Sequence, residues 1–310
     1  MEKKRNQTGR VLRIERSSMH DGDGLRSVVF LKGCPLSCLW CSTPESQHSG
    51  YEIGFRAGQC TGCGRCAAAC PAGALRIEDG VPVRDAKQCL LCFACEKTCP
   101  NHAWQRYGMD MDADTLVKEI AKDEIFFFHS GGGVTFSGGE PLKQAGFVAE
   151  AMRECRASGI HTAMETSLFA GWEQVEAVLP HLDFLFADLK LMDGERHRAA
   201  TGVDNRLILE NIKRIDEAPY PLSIHVRIPV IPGVNDDLEN LRRTVEFCDP
   251  LRRVEEIELL PYHRLGMETY RNLKLDYRLE GTVSPSPEEM RELEKEMNRV
   301  SGRVRVRVGG

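Results

Sequence analysis

The stretch RSVVFLKGCPLSCLWC, residues 26–41, decides how this chain is read. Its first part, Arg26–Leu31, is an apolar run rich in β-branched and aromatic residues, the composition of a buried strand. The strand runs into Gly33 and then into Cys34, Cys38 and Cys41, spaced C-x3-C-x2-C. Working outward, similar apolar runs recur at Gly133–Phe136, His161–Met164, Phe184–Ala187, Ser223–Ile228 and Glu256–Leu260. Helical patterns lie at 113–124, 142–158, 172–180, 206–217, 237–248 and 286–299. Six strand-and-helix units in alternation predict an α/β fold with a parallel sheet and right-handed crossovers. Six are fewer than the eight of a closed barrel, so the expected architecture is an open, partial (βα)6 barrel of parallel strands. The tail, Arg303–Val308, alternates with period two and reads as an edge strand with its arginines in solvent.

Thirteen cysteines in 310 residues are the outlying feature of the composition. An odd count without a secretory leader argues against a disulfide framework and for metal or redox chemistry in a reducing compartment. The N-terminus, MEKKRNQTGR, is basic, but no apolar segment follows it, so no leader is expected and the cytoplasm is the expected location. No apolar run approaches the roughly 20 residues needed to cross a bilayer. The net charge of −5 gives no general reason to bind nucleic acid or an anionic membrane.

Eleven of the thirteen cysteines fall within residues 34–99. Cys60, Cys63, Cys66 and Cys70 form C-x2-C-x2-C-x3-C, followed by Pro71. Cys89, Cys92, Cys95 and Cys99 repeat the spacing 29 residues on, followed by Pro100. This is the bacterial ferredoxin pattern for two 4Fe-4S clusters, in which the fourth cysteine of each run ligates the other cluster. It assigns Cys60, Cys63, Cys66 and Cys99 to one cluster, and Cys89, Cys92, Cys95 and Cys70 to the second. A pair of structural zinc sites is the alternative, since zinc also accepts four thiolates. The stretch 51–107 is expected to be an inserted ferredoxin-like domain, with residues 1–50 and 108–310 forming the barrel. The triplet Cys34, Cys38, Cys41 holds only three corners of a cubane and leaves one iron open. Its alternative is a closed zinc site completed by His48. Cys155 and Cys248 are isolated in helical patterns and read as packing residues.

In parallel α/β folds the chemistry gathers at the carboxyl ends of the strands. There lie Ser137-Gly138-Gly139-Glu140-Pro141, Glu165-Thr166-Ser167, Asp188-Leu189-Lys190, Arg227 with Pro229–Gly233, and Pro261-Tyr262-His263-Arg264. Any one of these alone reads as a turn or a helix cap. Together they predict one site around the open triplet.

With these residues in place the chain resembles the radical S-adenosylmethionine enzymes, and more narrowly the activating enzymes of glycyl radical enzymes. His20-Asp-Gly-Asp-Gly-Leu-Arg26 resembles the family's D-G-P-G-x-R segment. Trp40-Cys-Ser-Thr-Pro-Glu-Ser46 resembles its W-C-x-N-P-E-S, and Thr135–Pro141 its T-F-S-G-G-E-P. Asp23 and Thr43 depart from the proline and asparagine usual there.

The resemblance implies that the open iron chelates S-adenosylmethionine. One electron then splits it into methionine and a 5′-deoxyadenosyl radical, which takes a hydrogen atom from a glycine of a partner protein. It implies contacts to S-adenosylmethionine from Trp40, Gly138, Gly139, Glu140, Thr166, Asp188, Lys190, Arg227 and His263. Gly138 and Gly139 would let the methionine amine approach, Glu140 would orient that hydrogen bond, and Lys190 would face the methionine carboxylate. Arg227 and His263 would lie near methionine and adenosine; the alternatives are a scaffold salt bridge and a hydrogen-bonded core histidine. A monovalent cation held by Glu165 and Asp188 is also implied. The partners implied are a glycyl radical enzyme and a flavodoxin or ferredoxin that feeds electrons through the insert; a monomer is implied. A radical enzyme acting on another peptide residue or on a small molecule shares every core motif. A ferredoxin-type electron carrier leaves the triplet and Ser137–Pro141 without a task.

Overall fold

The computed structural model describes residues 7–309; the basic start, residues 1–6, lies outside the described residues. The chain opens with β1 (Thr8–Ser18), which pairs antiparallel with β2 (Arg26–Leu31). After the cysteine triplet it leaves the main sheet. It forms β3 (Glu52–Phe55), a short helix α1 (Arg65–Ala68), the hairpin of β4 (Leu75–Glu78) and β5 (Val81–Arg84), a second short helix α2 (Ala94–Thr98) and β6 (Trp104–Tyr107). β6 pairs antiparallel with β3, so this excursion starts and ends on one two-stranded ribbon. β7 (Met109–Asp112) then returns to the main sheet, antiparallel to β1.

The remainder alternates. After α3 (Ala113–Ala121) and α4 (Glu124–Ser130) come β8 (Gly133–Gly138), α5 (Ala145–Ala157), β9 (His161–Thr166), α6 (Trp172–Val178) and β10 (Phe184–Asp188). There follow α7 (Gly194–Thr201), α8 (Arg206–Glu217), β11 (Ser223–Val230), α9 (Leu238–Cys248), β12 (Val254–Pro261), α10 (Met267–Leu273), α11 (Pro287–Val300) and β13 (Arg305–Val308). The main sheet is nine-stranded, in the order β13-β12-β11-β10-β9-β8-β2-β1-β7. From β2 to β13 every pairing is parallel. All six expected strands are present. The tail strand extends the parallel run to seven, and β1 and β7 form an antiparallel flank that was not expected.

The sequence explains these elements. β11 buries Ile224, Val226, Ile228 and Val230, as a parallel strand covered by helices must. α8 buries Ile208, Ile212 and Ile215, one stripe at helical spacing. Ser286 and Glu289 close a reciprocal cap on α11. α5 starts at Ala145, not 142, because Pro141–Gln144 form a 3-10 turn first. α7 escaped the sequence reading because its residues are mostly polar; Asp193 caps it through the backbone N–H groups of Glu195 and Arg196. Cys155 and Cys248 are fully buried in the main core, as expected of packing residues.

The tail forms the expected edge strand, with Arg303 and Arg305 exposed. Arg307 is partly exposed and also pairs with Glu256 and with Glu258 (3.2 Å) on β12, and Arg303 donates to the carbonyl of Val254 (2.8 Å).

Candidate active site

The carboxyl ends of β2, β8, β9, β10, β11 and β12 surround one cavity of about 260 Å³. Cys34, Cys38 and Cys41 line it together with Trp40, Gly138, Gly139, Thr166, Asp188, Lys190 and His263. Residues from six separate elements therefore meet where the strand-end argument puts them. Ser137, Ser167, Ile231 and Tyr262 also line it. Nothing marked these four individually, because hydroxyls and apolar groups at strand ends are ordinary.

Backbone contacts hold the cysteine loop against β8. Gly139 N–H donates to Leu31 O (2.9 Å) and Glu140 N–H to Gly33 O (2.8 Å). A Cβ on Gly138 would stand 2.4 Å from Leu31 N, and one on Gly139 2.4 Å from Gly33 O. The approach of two protein backbones thus requires both glycines, independently of any ligand.

Glu140 makes contacts within the chain that the sequence did not show. Its carboxylate is fully buried. It accepts from Thr166 Oγ1 (2.6 Å), Ser167 N–H (2.9 Å), Ser167 Oγ and Leu142 N–H (3.1 Å). Burial raises its pKa against the pull of those donors. Glu140 therefore fastens the end of β9 to the end of β8 and reaches the cavity through Thr166 and Ser167. Glu140→Gln puts an amide N–H₂ among donors. It is expected to cost about 1–3 kcal/mol, read as a lowered denaturation midpoint of the reconstituted protein.

Lys190 Nζ donates to Asp188 Oδ2 at 2.6 Å on the cavity wall. Burial lowers the Lys190 pKa, but the carboxylate of Asp188 outweighs it, so the ammonium stays charged. Arg227 lies outside the lining of this cavity. Its guanidinium bonds Glu258 (2.7 Å), Glu165 (2.9 Å) and the carbonyl of His20, and sits 3.5 Å from the centre of the Phe186 ring. The scaffold salt bridge is what the structure shows, because two carboxylates beside it need a buried cation. Glu165 gives its other oxygen to Ser137 Oγ (2.7 Å). Both acids expected to hold a monovalent cation are therefore already paired within the chain. His263 is exposed at the rim, not a core histidine.

The three thiols are the chemical centre. Burial pushes Cys34 and Cys41 up and Cys38 to about 12, against the opposing charge of Lys190 on Cys38. Thiols in this state become thiolates when iron supplies the positive charge. His48 is exposed and does not line the cavity, so the closed zinc site with His48 is not formed. Among the described residues no three His, Cys, Asp or Glu side chains are gathered around a single-ion site. A cubane suits these donors because each thiolate takes a separate iron.

The other eight cysteines divide between two small cavities. Cys60, Cys63, Cys66 and Cys99 line one; Cys70, Cys89, Cys92 and Cys95 line the other. This is the crossed partition that the repeat predicts. α1 and α2 bring Cys66 and Cys95 into one small core with Ile53, Leu75 and Trp104.

A model of the radical SAM superfamily matches residues 28–247. The chain is 42% identical over 268 residues to the isethionate sulfite-lyase activating enzyme of Oleidesulfovibrio alaskensis, covering 85% of this chain and 86% of that protein. It is 40% identical over 278 residues to the (2S)-3-sulfopropanediol dehydratase activating enzyme of Klebsiella oxytoca, covering 87% of each. A solved radical SAM methyltransferase from Sphaerobacter thermophilus shares the fold at 12% identity, with a TM-score of 0.56 over 96% of this chain and 77% of its own. The chain belongs to the radical SAM superfamily and, within it, to the activating enzymes of glycyl radical enzymes. The family implies a 4Fe-4S cluster and S-adenosylmethionine.

Proposed function

We propose that the chain reads as three cluster sites on two units: a radical unit of residues 1–50 and 108–310 and an electron-relay insert of residues 51–107. The observation that carries this reading is the sorting of eleven cysteines into three cavities, one of them open to a cavity wall of Asp188, Lys190 and Trp40. Cys34, Cys38 and Cys41 would hold a cluster with one open iron, which would supply the electron for cleaving S-adenosylmethionine and so the radical that would take a hydrogen atom from a glycine of the partner enzyme.

The chain's own residues position and shield. Lys190 offers a buried ammonium to the methionine carboxylate. Trp40, Ile231 and Tyr262 pack into one apolar cluster and keep water from that wall. Thr166 and Ser167 are held in place by Glu140. His263 stands at the rim, on the adenosine side. The cofactors proposed are three 4Fe-4S clusters and S-adenosylmethionine. Lys190 and Arg227 already neutralise Asp188 and Glu165, the pair that would hold a monovalent cation. A flavodoxin or ferredoxin is the proposed donor, an anaerobic cytoplasm the setting, and a monomer that docks its partner transiently the working form. No helix among the described residues is long and apolar enough to cross a membrane.

The test is anaerobic reconstitution. About twelve irons per chain are expected for three 4Fe-4S clusters. S-adenosylmethionine with a reductant should give 5′-deoxyadenosine, and addition of a glycyl radical enzyme, beginning with isethionate sulfite-lyase, should give a glycine-centred radical signal. Cleavage without that signal across the relatives' partners would instead favour a radical enzyme acting on another substrate.

A further inference from the structure

The two halves of the cysteine repeat are not equivalent. Displaced by 29 residues, Gly62 corresponds to Leu91 and Gly64 to Phe93. All four have the left-handed backbone: φ is +68° and +73° at the glycines, +50° at Leu91 and +59° at Phe93. Glycine adopts this conformation without penalty, whereas a bulky residue there is a genuine outlier. Such outliers persist only where the surrounding structure over-determines them. Leu91 and Phe93 line the cavity of Cys70, Cys89, Cys92 and Cys95, and Phe93 packs edge-on against Tyr51 with ring centres 5.6 Å apart.

Tyr51 and its neighbour Glu52 are where the insert meets the main sheet. The Arg10 guanidinium of β1 lies 4.2 Å from the centre of the Tyr51 ring. The fully buried Lys32, two residues before Cys34, donates to Glu52 (2.8 Å) and to the carbonyl of Glu45. Ile53, next along β3, lines the same cavity as Phe93. An unbroken packed connection thus runs from the cysteine triplet to that cavity. At the other cavity, of Cys60, Cys63, Cys66 and Cys99, the corresponding Gly62 and Gly64 offer no side chain for a contact like that of Phe93 with Tyr51. Trp104 lines that cavity and packs at a tilt against Phe55, with ring centres 4.8 Å apart. Beyond these rings, Arg56 and Gln105 face Ser42 and Thr43 across an open cleft of about 450 Å³.

We propose that Phe93 is a positioning residue that seats the Cys70–Cys89–Cys92–Cys95 site against the barrel, making it the inner station of the relay and the Cys60–Cys63–Cys66–Cys99 site the outer one. This rests on the relay reading of the insert. Each transfer moves one electron: the giving cluster returns from its reduced to its oxidised state as the receiving cluster is reduced, and flavodoxin hydroquinone supplies the first electron.

The full chain, reconstituted anaerobically, is mixed with chemically reduced flavodoxin and followed by freeze-quench electron paramagnetic resonance. In Cys89→Ala/Cys92→Ala, the Cys60–Cys99 cluster should be reduced while the triplet cluster stays oxidised. In Cys60→Ala/Cys63→Ala, both remaining clusters should stay oxidised. The reverse pattern, with the Cys70–Cys95 cluster reduced in the second variant, overturns the order. Wild-type reduction of the triplet cluster in both variants sinks the relay reading itself. Phe93→Gly suits the backbone and should keep wild-type iron content. It should slow reduction of the triplet cluster by about tenfold or more, the scale of second-shell losses, with the inner cluster accumulating reduced. Dithionite, which does not need the insert, should reduce the triplet cluster equally in both proteins, and Phe93→Tyr should restore the flavodoxin rate. A wild-type rate in Phe93→Gly overturns the role of Phe93 even if the cysteine variants lose both clusters.

Discussion

Replacing Cys38 by alanine is expected to abolish 5′-deoxyadenosine formation and lower bound iron from about twelve to about eight per chain, because the cluster that loses a ligand is the one with no fourth cysteine in reserve. Cys38 lines the cavity together with Trp40 and Lys190, and burial holds its thiol neutral until iron arrives. The eight cysteines of the insert are untouched, so its two cluster signals should persist in the variant. Iron analysis, cluster spectroscopy and product chromatography on one reconstituted sample check this. Product at the wild-type rate would show that the reacting cluster is held elsewhere.

Arg227→Met is expected to produce the largest loss of stability of any single change at the site. The guanidinium is 4% exposed and pairs with two carboxylates, Glu165 and Glu258. Removing one member of a buried ion group leaves an uncompensated charge and costs about 3–5 kcal/mol. In a protein of this size that lowers the unfolding midpoint by roughly 5–8 °C. The pH dependence identifies the cause. Burial pushes the Glu165 pKa up, but Arg227, with help from Ser137 and Lys190, holds it below the usual glutamate value. In the wild type this pairing stabilises above the unfolded value of about 4.5 and is lost as pH falls through the lower folded value. In the variant, burial is unopposed by the guanidinium and the carboxyl protonates at higher pH. The gap between the two melting curves should therefore narrow as pH falls from neutrality toward 5. A gap that is constant with pH would mean that packing over Phe186, not charge, is what the arginine contributes.

Some of this was legible before any coordinates. The spacing of the eight cysteines predicts two crossed ligand sets because a thiolate reaches only so far along a short loop, and the eight residues line two cavities in that crossed way. The strand-end motifs were legible because parallel strands all point one way, so their last residues must share one rim. Arg227 was not. A strand residue shows its face by alternation, but its depth below the rim depends on the register with β10, where it stands opposite Asp188. The contacts of Glu140 were not legible for a similar reason: the donors of Thr166 and Ser167 at the end of the next strand draw it inward. β1 escaped because its polar and apolar residues alternate irregularly across a bulged pairing with β2.

What the sequence determined by itself is chemistry that local spacing carries: three thiols with one corner missing, eight thiols in two interleaved sets, and six strands of one direction. What only the tertiary structure decided is the consequence of neighbours far apart in the chain. It removed Arg227 from the cavity lining, turned Glu140 into a clamp, and gave the two halves of the cysteine repeat different positions. The repeat is symmetric in its ligands, but Phe93 meets Tyr51 and Trp104 meets Phe55, and those contacts exist only once β3 and β6 have paired and β7 has docked on β1.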